Sequence, residues 1–232
     1  MMEWLGSGST MEEIYLGFDG EVPQYGCSAC RSCQGELGIS LCPVKNRGCC
    51  SYFPKFELHE IQKMSKTQEG LALLHNIRKM PGARIYHYYI HVKGYFDEEG
   101  YEAFLKSGAG YRYQVEDKSV FFRACPFVKP GKGCSLPVRY RHYVCNLFLC
   151  REVKKRADHP DLLLRYTEEC DRFARWMKWD NEALEMLLRE KGFTLTENFD
   201  EVIETLQDIP LACYDFPPLP PIDTESGFPI GA

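Results

Sequence analysis

The sequence predicts an α+β fold that is predominantly helical, with a few short antiparallel strands and cysteine-rich loops clamped by metal. Three observations support this: the helical spacing of apolar residues after residue 159, a β-branched and aromatic stretch at residues 85–92, and 12 cysteines. A length of 232 residues suits one decorated domain, and a content of 44% hydrophobic and 26% charged residues is typical of a globular protein.

The predicted domain organisation starts with a flexible leader at residues 1–20, where four glycines interrupt any periodic pattern. The other predicted parts are the metal-binding domain at 21–208, its ligand segments at 27–50 and 125–150, its helical part at 159–208, and the proline-rich C-terminal tail at 209–232. The prolines favour an extended arm laid over the surface.

The middle of the chain mixes helical and strand patterns. Apolar residues at spacings of three and four predict one helix after the first cysteine segment, broken near Gly70 and stopped by the Pro-Gly pair at 81–82. Residues 85–92 and parts of 111–123 are β-branched and aromatic and predict two to four short strands. Residues 97–106 predict a short helix between them.

Three helices are predicted in the C-terminal part. The first opens at Pro160, the second covers residues 181–191 and is closed by Gly192, and the third lies around residues 200–207. The apolar stripe of the first helix consists of Leu163, Tyr166, Cys170, Phe173 and Met177. Cys170 is therefore predicted to be a buried small side chain and not a metal ligand.

Ten of the 12 cysteines lie in two short segments and are the candidate metal ligands. They are Cys27, Cys30, Cys33, Cys42, Cys49 and Cys50 in the first segment and Cys125, Cys134, Cys145 and Cys150 in the second. The N-terminus has no cationic start followed by an apolar run, so a cytoplasmic location is predicted. In that reducing compartment clustered thiols favour metal binding, whereas disulfides are the alternative in an oxidising one.

The first segment has the spacing C-x2-C-x2-C-x8-C-P from Cys27 to Pro43. Bacterial ferredoxins hold a cuboidal cluster with C-x2-C-x2-C-x3-C-P, so the first three ligands and the Cys-Pro match and the last spacer is longer. Structural zinc sites tend to use two separate C-x2-C pairs. The spacing therefore favours a 4Fe-4S cluster over zinc. Cys49 and Cys50 are adjacent and diverge to opposite faces of an extended chain, so we expect only one of them at the same metal.

The second segment has the spacing C-x8-C-x10-C-x4-C, in which no pair is close enough to form a knuckle. Its cysteines must meet by folding, either around a second centre or by completing the first. His142 is the strongest ligand candidate that is not a cysteine. His87 and His91 share a face if residues 85–92 form one strand, and they would then be further candidates.

The second segment is also strongly basic. Residues 123–156 contain nine Lys or Arg and one acid, in a chain of net charge −5. The basic side chains would neutralise an anionic thiolate cluster, bind an anionic ligand, or form a solvated face. Arg139 and Arg141 are the candidate cofactor-binding residues. The overall acidity argues against a protein built to bind nucleic acid.

Two motifs carry a resemblance to a known family. One is Cys49-Cys50-Ser51-Tyr52-Phe53, and the other combines Cys125-Pro126-Phe127, Gly131-Lys132-Gly133-Cys134-Ser135 and the run from Arg141 to Cys150. Together they resemble the YkgJ-type cysteine-cluster family, a CxxCxxCC zinc- or iron-chelating domain that includes the flagellin lysine N-methylases. His142, Asn146 and Leu149 replace a proline, an arginine and a proline of the family pattern, and no cysteine is lost.

The predicted function is that of a cytoplasmic metal-binding cysteine-cluster protein with a 4Fe-4S cluster. The resemblance implies modification of a protein side chain, similar to lysine methylation, with a protein as substrate and S-adenosylmethionine as cofactor. The alternative is a structural zinc-binding interaction or metal-handling module without catalysis. No apolar stretch is long enough to cross a bilayer, so no membrane partner is expected.

Overall fold

The computed structural model describes residues 35–151, 154 and 160–217, together with the backbone of residues 14–19 and 22–27. That backbone forms an antiparallel hairpin of β1 (Ile14–Asp19) and β2 (Val22–Cys27), with Ile14 opposite Cys27. The predicted boundary between the leader and the metal-binding domain, at residue 20, falls between the sequence ranges of these two strands. The remaining residues of the predicted leader, and residues 218–232 of the predicted tail, lie outside the described residues.

A three-stranded antiparallel sheet and two helices form the centre of the molecule. The sheet has the order β3 (Lys55–Glu57), β5 (Tyr89–Val92), β4 (Ala83–Ile85), and the helices are α1 (Leu58–Ser65) and α2 (Gln68–Arg78). Reciprocal bonds between Glu57 and Glu60 form a capping box that starts α1.

The break between α1 and α2 lies just before Gly70, close to where it was predicted. The Thr67 side chain accepts a hydrogen bond from the Gly70 N–H and starts α2. Gly70 lies in the first turn of α2, and a Cβ there would collide with the backbone of Met64 at the end of α1. The glycine therefore permits the close approach of the two helices.

The strand prediction is confirmed at residues 85–92 and needs correction at residues 111–123. Residues 85–92 contain the end of β4 and all of β5, and the chain turns between the two strands, where the Tyr86 N–H bonds the Tyr89 carbonyl. Most of residues 111–123 form 3-10 turns, and one of these starts where the Asp117 side chain accepts a bond from the Ser119 N–H. A side-chain oxygen that satisfies the backbone locally competes with strand pairing.

Short elements follow the sheet. The strands are β6 (Tyr95–Phe96), paired with β7 (Arg123–Ala124), and β8 (Val128–Lys129), paired with β9 (Gly133–Cys134); the helices are α3 (Glu98–Lys106) and α4 (Tyr143–Leu147). The helix predicted at residues 97–106 is thus present.

The next two predicted helices are one continuous helix, α5 (Pro160–Lys191), which is followed by α6 (Phe199–Asp208). Asn is a frequent helix-starting residue, but Asn181 has another role here. Its Oδ1 accepts from the His59 N–H at 2.8 Å and its Nδ2 donates to Glu57 Oε2 at 2.9 Å, which ties α5 to the start of α1. Gly192 has a φ of 71° and ends the helix, as predicted.

Two apolar clusters hold these elements together. The main core lies between α1, α2, α5, α6 and the sheet, and a satellite cluster joins Leu147, Leu149, Tyr166 and Phe216. Phe216 belongs to the chain after α6, so residues 209–217 pack as an arm against α5. Cys170 is half-buried against the satellite cluster, in the predicted apolar stripe.

The protein is α+β, as predicted, with six α-helices and short antiparallel strand pairs among the described residues. In the same part of the chain, every helix is too short or too polar to cross a membrane. Metal clamping of the cysteine-rich loops stays a prediction.

Candidate metal centre

Four predicted ligands, Cys50, Cys125, Cys134 and Cys145, form an electrostatically coupled group that we call the thiol cluster. Repulsion from Cys50 and Cys134 acts on the thiol of Cys125, and repulsion from the other three acts on the thiol of Cys145. The two cysteine segments, which are separated by more than 70 residues, therefore come together at this point.

Backbone hydrogen bonds position the four cysteines. The Cys125 N–H donates to the Cys50 carbonyl at 2.9 Å, and the Gly131 N–H donates to the Asn46 carbonyl at 2.7 Å, so the two segments are bonded directly. Cys134 lies in β9 opposite Val128 of β8. Cys145 lies in α4, and its N–H bonds the His142 carbonyl at 2.8 Å.

Burial keeps the thiols of Cys125 and Cys145 protonated when no metal is bound. It raises the pKa of the Cys125 thiol to about 12, and repulsion from Cys50 and Cys134 acts in the same direction. The backbone N–H groups of Phe127 and Val128 lie near the Cys125 sulfur and act to lower its pKa, which favours the thiolate. Burial of its sulfur also raises the pKa of Cys145 to about 12, although the residue as a whole is exposed. A metal ion reverses this balance because it binds the thiolate form.

A buried arginine, Arg47, lies beside the first cysteine segment. Its guanidinium donates to four backbone carbonyls, those of Leu37, Ile39, Gly48 and Val120. Burial lowers its pKa, while the thiols of Cys42, Cys50 and Cys49 act to raise it. In the described part of the chain no carboxylate lies within ion-pair distance of Arg47, and its Nε has no hydrogen-bond partner. A buried cation is stabilised by a nearby anion, and these thiols act on Arg47 and are able to become anionic.

The remaining candidate ligands are placed differently. Cys42 is fully buried, with its sulfur 3.3 Å from the Ser40 hydroxyl. Cys150 lies against the satellite cluster, which Cys170 also contacts. Cys30, Cys33 and the Cys27 side chain lie outside the described residues. Among the described residues, no three His, Cys, Asp or Glu side chains are arranged to hold a single metal ion.

The three histidines that the sequence offered as further metal-ligand candidates lie in different places. His142 starts α4, because its Nδ1 accepts from the Val144 N–H at 3.2 Å, and burial lowers its pKa to about 4. His87 lies in the turn between β4 and β5 and His91 lies within β5, so the condition under which they would share a strand face is not met. The turn that separates them is the reason.

Sequence reasoning missed Glu60, which is buried beside His142 and Tyr143. Its carboxyl accepts from the N–H groups of Glu57 at 3.0 Å and Tyr143 at 3.3 Å, and its Oε1 lies 4.0 Å from the His142 Nε2. Burial raises the pKa of Glu60 to about 8. The position of Glu60 in the amphipathic helix α1 does not indicate from the sequence that its carboxyl is buried. Arg47 carried a weak signal, since it stands among the cysteines of the first segment.

A pocket with a volume of about 50 Å³ opens beside the thiol cluster, between α1, α4 and α5. Both predicted cofactor-binding residues, Arg139 and Arg141, line it together with Glu60 and Asn146. A larger open groove of about 520 Å³ lies at the turn of residues 86–89, where Tyr86 and Tyr89 stack at 4.4 Å. The structure therefore brings the two arginines to one pocket.

Comparison of the chain with family models, with curated proteins and with solved structures gives no match. The resemblance to the YkgJ-type family stays a prediction.

Proposed function

We propose that this chain is a metal-binding cysteine-cluster protein in which Cys50, Cys125, Cys134 and Cys145 coordinate a 4Fe-4S cluster. The observation that supports the proposal is the 2.9 Å backbone hydrogen bond that joins Cys125 of the second cysteine segment to Cys50 of the first. Cys134 and Cys145 lie near enough for the thiols to act on one another electrostatically. Four sulfur donors are the ligand set that such a cluster uses.

The surroundings of the thiols suit an anionic centre. Four thiolates around a cubane core carry net negative charge, which the buried guanidinium of Arg47 would offset from one side. The backbone N–H groups of Phe127 and Val128 near the Cys125 sulfur would stabilise the same charge. In a cubane each thiolate binds its own iron, so the ligands do not have to meet around one ion. The four thiols can therefore bind a cubane cluster even though the described residues form no site for a single metal ion.

The bound cluster would supply redox or Lewis-acid chemistry next to the pocket of Arg139 and Arg141. In this proposal the protein is cytoplasmic, and it supports modification of a protein side chain with S-adenosylmethionine as cofactor. The family resemblance alone supports that part. Cys27, Cys30, Cys33, Cys42, Cys49 and Cys150 remain candidate ligands of this centre or a second one.

Structural zinc is the second candidate. It is favoured by the way the thiol cluster joins three chain segments that otherwise contain only two-residue strands and a five-residue helix. A zinc ion with four cysteine ligands would clamp these segments without catalysis.

The deciding experiment is anaerobic purification followed by measurement of iron, zinc, acid-labile sulfide and the visible spectrum. We expect about four irons and four sulfides per chain and a brown protein. Cys134→Ser is expected to lose this metal, while Cys213→Ser, which changes an exposed cysteine outside both segments, keeps it. A colourless protein with stoichiometric zinc would replace the first candidate by the second. A metal-free protein would contradict both.

A further inference from the structure

The outer side of the long helix α5 carries an exposed apolar stripe. Trp179 and Met186 are each 64% exposed, and Ala183 between them is exposed as well. The steps of four and then three residues place all three on one face of the helix. Leu184 and Leu188 of the same half of α5 are buried in the main core and lie on another face. Large apolar side chains exposed together on one face are typical of an interaction surface.

One cation and one anion flank the stripe. Arg175 lies four residues before the tryptophan, Glu190 lies four residues after the methionine, and both are exposed. The ion pairs within α5 join other residues, and among the described residues neither Arg175 nor Glu190 lies within ion-pair distance of an opposite charge. The stripe therefore has an unpaired positive charge at one end and an unpaired negative charge at the other.

The spacing of these residues is symmetric. Trp179 and Met186 lie equally far from a centre between residues 182 and 183, and Arg175 and Glu190 lie equally far beyond them. Two copies of α5 that cross antiparallel at this centre place each tryptophan beside the other copy's methionine and each arginine beside the other copy's glutamate. A parallel crossing would place like charges opposite each other, which is unfavourable. Ala183 lies at the centre, where a small side chain lets two helix axes come close.

We propose that two copies of this chain form an antiparallel dimer through this face of α5. Trp179 packs on Met186 of the second copy, a favourable contact between an aromatic ring and sulfur. Arg175 pairs with Glu190 of the second copy at both ends of the contact. The contact has two-fold symmetry and closes on itself, so a third copy is not added. None of these residues lines either pocket or belongs to the thiol cluster, so the inference does not depend on the proposed function.

The size of the face predicts a weak and reversible dimer. Residues 175–190 span about 24 Å of helix, so the contact is one helix pair. Interfaces below about 1,200 Å² of buried surface are typical of weak complexes, and we expect a dissociation constant on the order of 10 µM. A second copy suits this face better than a different protein does, because the apolar and charged side chains complement themselves under a two-fold rotation.

The test is sedimentation velocity of the whole metal-loaded chain from about 1 µM to about 1 mM, a range that covers weak specific complexes. The mass should rise with concentration from that of one chain, 26.8 kDa, towards twice this value. The mass of one chain at every concentration would overturn the proposal, as would a mass that rises beyond two chains.

Charge reversal locates the interface. Glu190→Arg should weaken association at least about tenfold, because it places two arginines opposite each other. Glu204→Arg makes the same change at an exposed glutamate of α6 and should leave association unchanged. Combining Glu190→Arg with Arg175→Glu inverts both ion pairs and should restore the dimer. Equal association of the two single variants, or no recovery in the double variant, would overturn the proposal.

The apolar contact has its own variant. Trp179→Ala removes the large aromatic side chain and should abolish most of the association, since buried aromatic residues supply much of the binding free energy of interfaces. The side chain is exposed in the single chain, so the circular dichroism spectrum and the metal content should stay as they are. Unchanged association of Trp179→Ala would also overturn the proposal.

Discussion

In the main core, Ile61, Ile77 and Leu188 are fully buried among other apolar side chains, whereas the region around the thiol cluster buries the guanidinium of Arg47 and holds cysteines that are mostly half-buried. The core has helices of up to 32 residues, while the second cysteine segment has strands of two residues and a helix of five. Apolar burial stabilises the first region by itself. The second region has little regular structure and buries groups that are unfavourable without partners.

The difference indicates that the folded structure of the two regions depends on different interactions: apolar burial in the main core and metal binding in the thiol region. The core should remain folded over a wide range of conditions as long as its apolar side chains are intact. The thiol region should depend on the metal, because metal-binding free energy is also folding free energy when the ligands come from distant segments. Four predictions test this contrast.

The largest effect is expected from Cys125→Ala. It removes a ligand and a binding free energy on the order of 10 kcal/mol, so the thiol region should lose its metal and its ordered structure. Hydrogen exchange is the measurement: protection of the Cys145 and Gly131 N–H groups should disappear, while the helical amides around Leu188 stay protected. Uniform loss of protection would show that the two regions are one cooperative unit. Retained metal would remove Cys125 from the ligand set.

The second effect is on the core. Leu188→Ala removes a fully buried side chain and should lower the free energy of unfolding by about 2–5 kcal/mol. Metal loss should be far smaller than in Cys125→Ala, since Leu188 is no ligand candidate and lies inside the main core, whereas Cys125 and Cys134 are only partly buried residues packed against that core. Urea unfolding and metal analysis on one preparation measure both. A large loss of metal would show that metal binding depends on the packing of the main core.

The third effect concerns Glu60. Burial raises the pKa of its carboxyl from the ordinary value of 4.5 to about 8. The folded protein then holds a proton that the unfolded chain has released, so stability falls as pH rises between these values. His142, with a pKa lowered from 6.5 to about 4, has the opposite effect below pH 6.5. Between pH 6.5 and 8 the free energy of unfolding should therefore fall by about 1–2 kcal/mol on account of Glu60.

Glu60→Gln cannot ionise, so it should flatten this part of the stability curve whatever its effect on the absolute stability. Denaturant unfolding of both proteins at the two pH values measures the difference. An equal slope in the variant would show that Glu60 does not titrate in this range.

The smallest effect is expected from Cys170→Ala, at about 1 kcal/mol, because the change removes one small, half-buried side chain. Full metal content is expected, in contrast to Cys125→Ala. Metal loss in this variant would mean that Cys170 acts as a ligand and that the satellite cluster is part of the metal centre.

Local patterns were sufficient for several elements. The start of α5 at Pro160, its end at Gly192, the helix α6 and the short helix α3 follow from nearby residues. Predictions failed where a distant contact decided the outcome. Asn181 favours a helix start in isolation, but its side chain bonds Glu57 and His59 and the helix runs through it.

The candidate site shows the same division. The cysteine count and spacing mark the two segments that the structure brings together, and the basic stretch marks Arg139 and Arg141. The grouping of Cys50 with Cys125, Cys134 and Cys145, and the place of Cys150 against the satellite cluster, required the three-dimensional fold. The burial of Arg47 and Glu60 likewise had no counterpart in the local pattern.

By itself, the sequence determined the fold class, most helices and the set of thiols, because helix periodicity, capping and glycine conformations depend on residues a few positions apart. Only the tertiary structure decided which thiols meet, where a cation is buried without a carboxylate, and which residues line the pocket. These properties depend on burial and on contacts between residues far apart in the chain, and local periodicity carries no information about either.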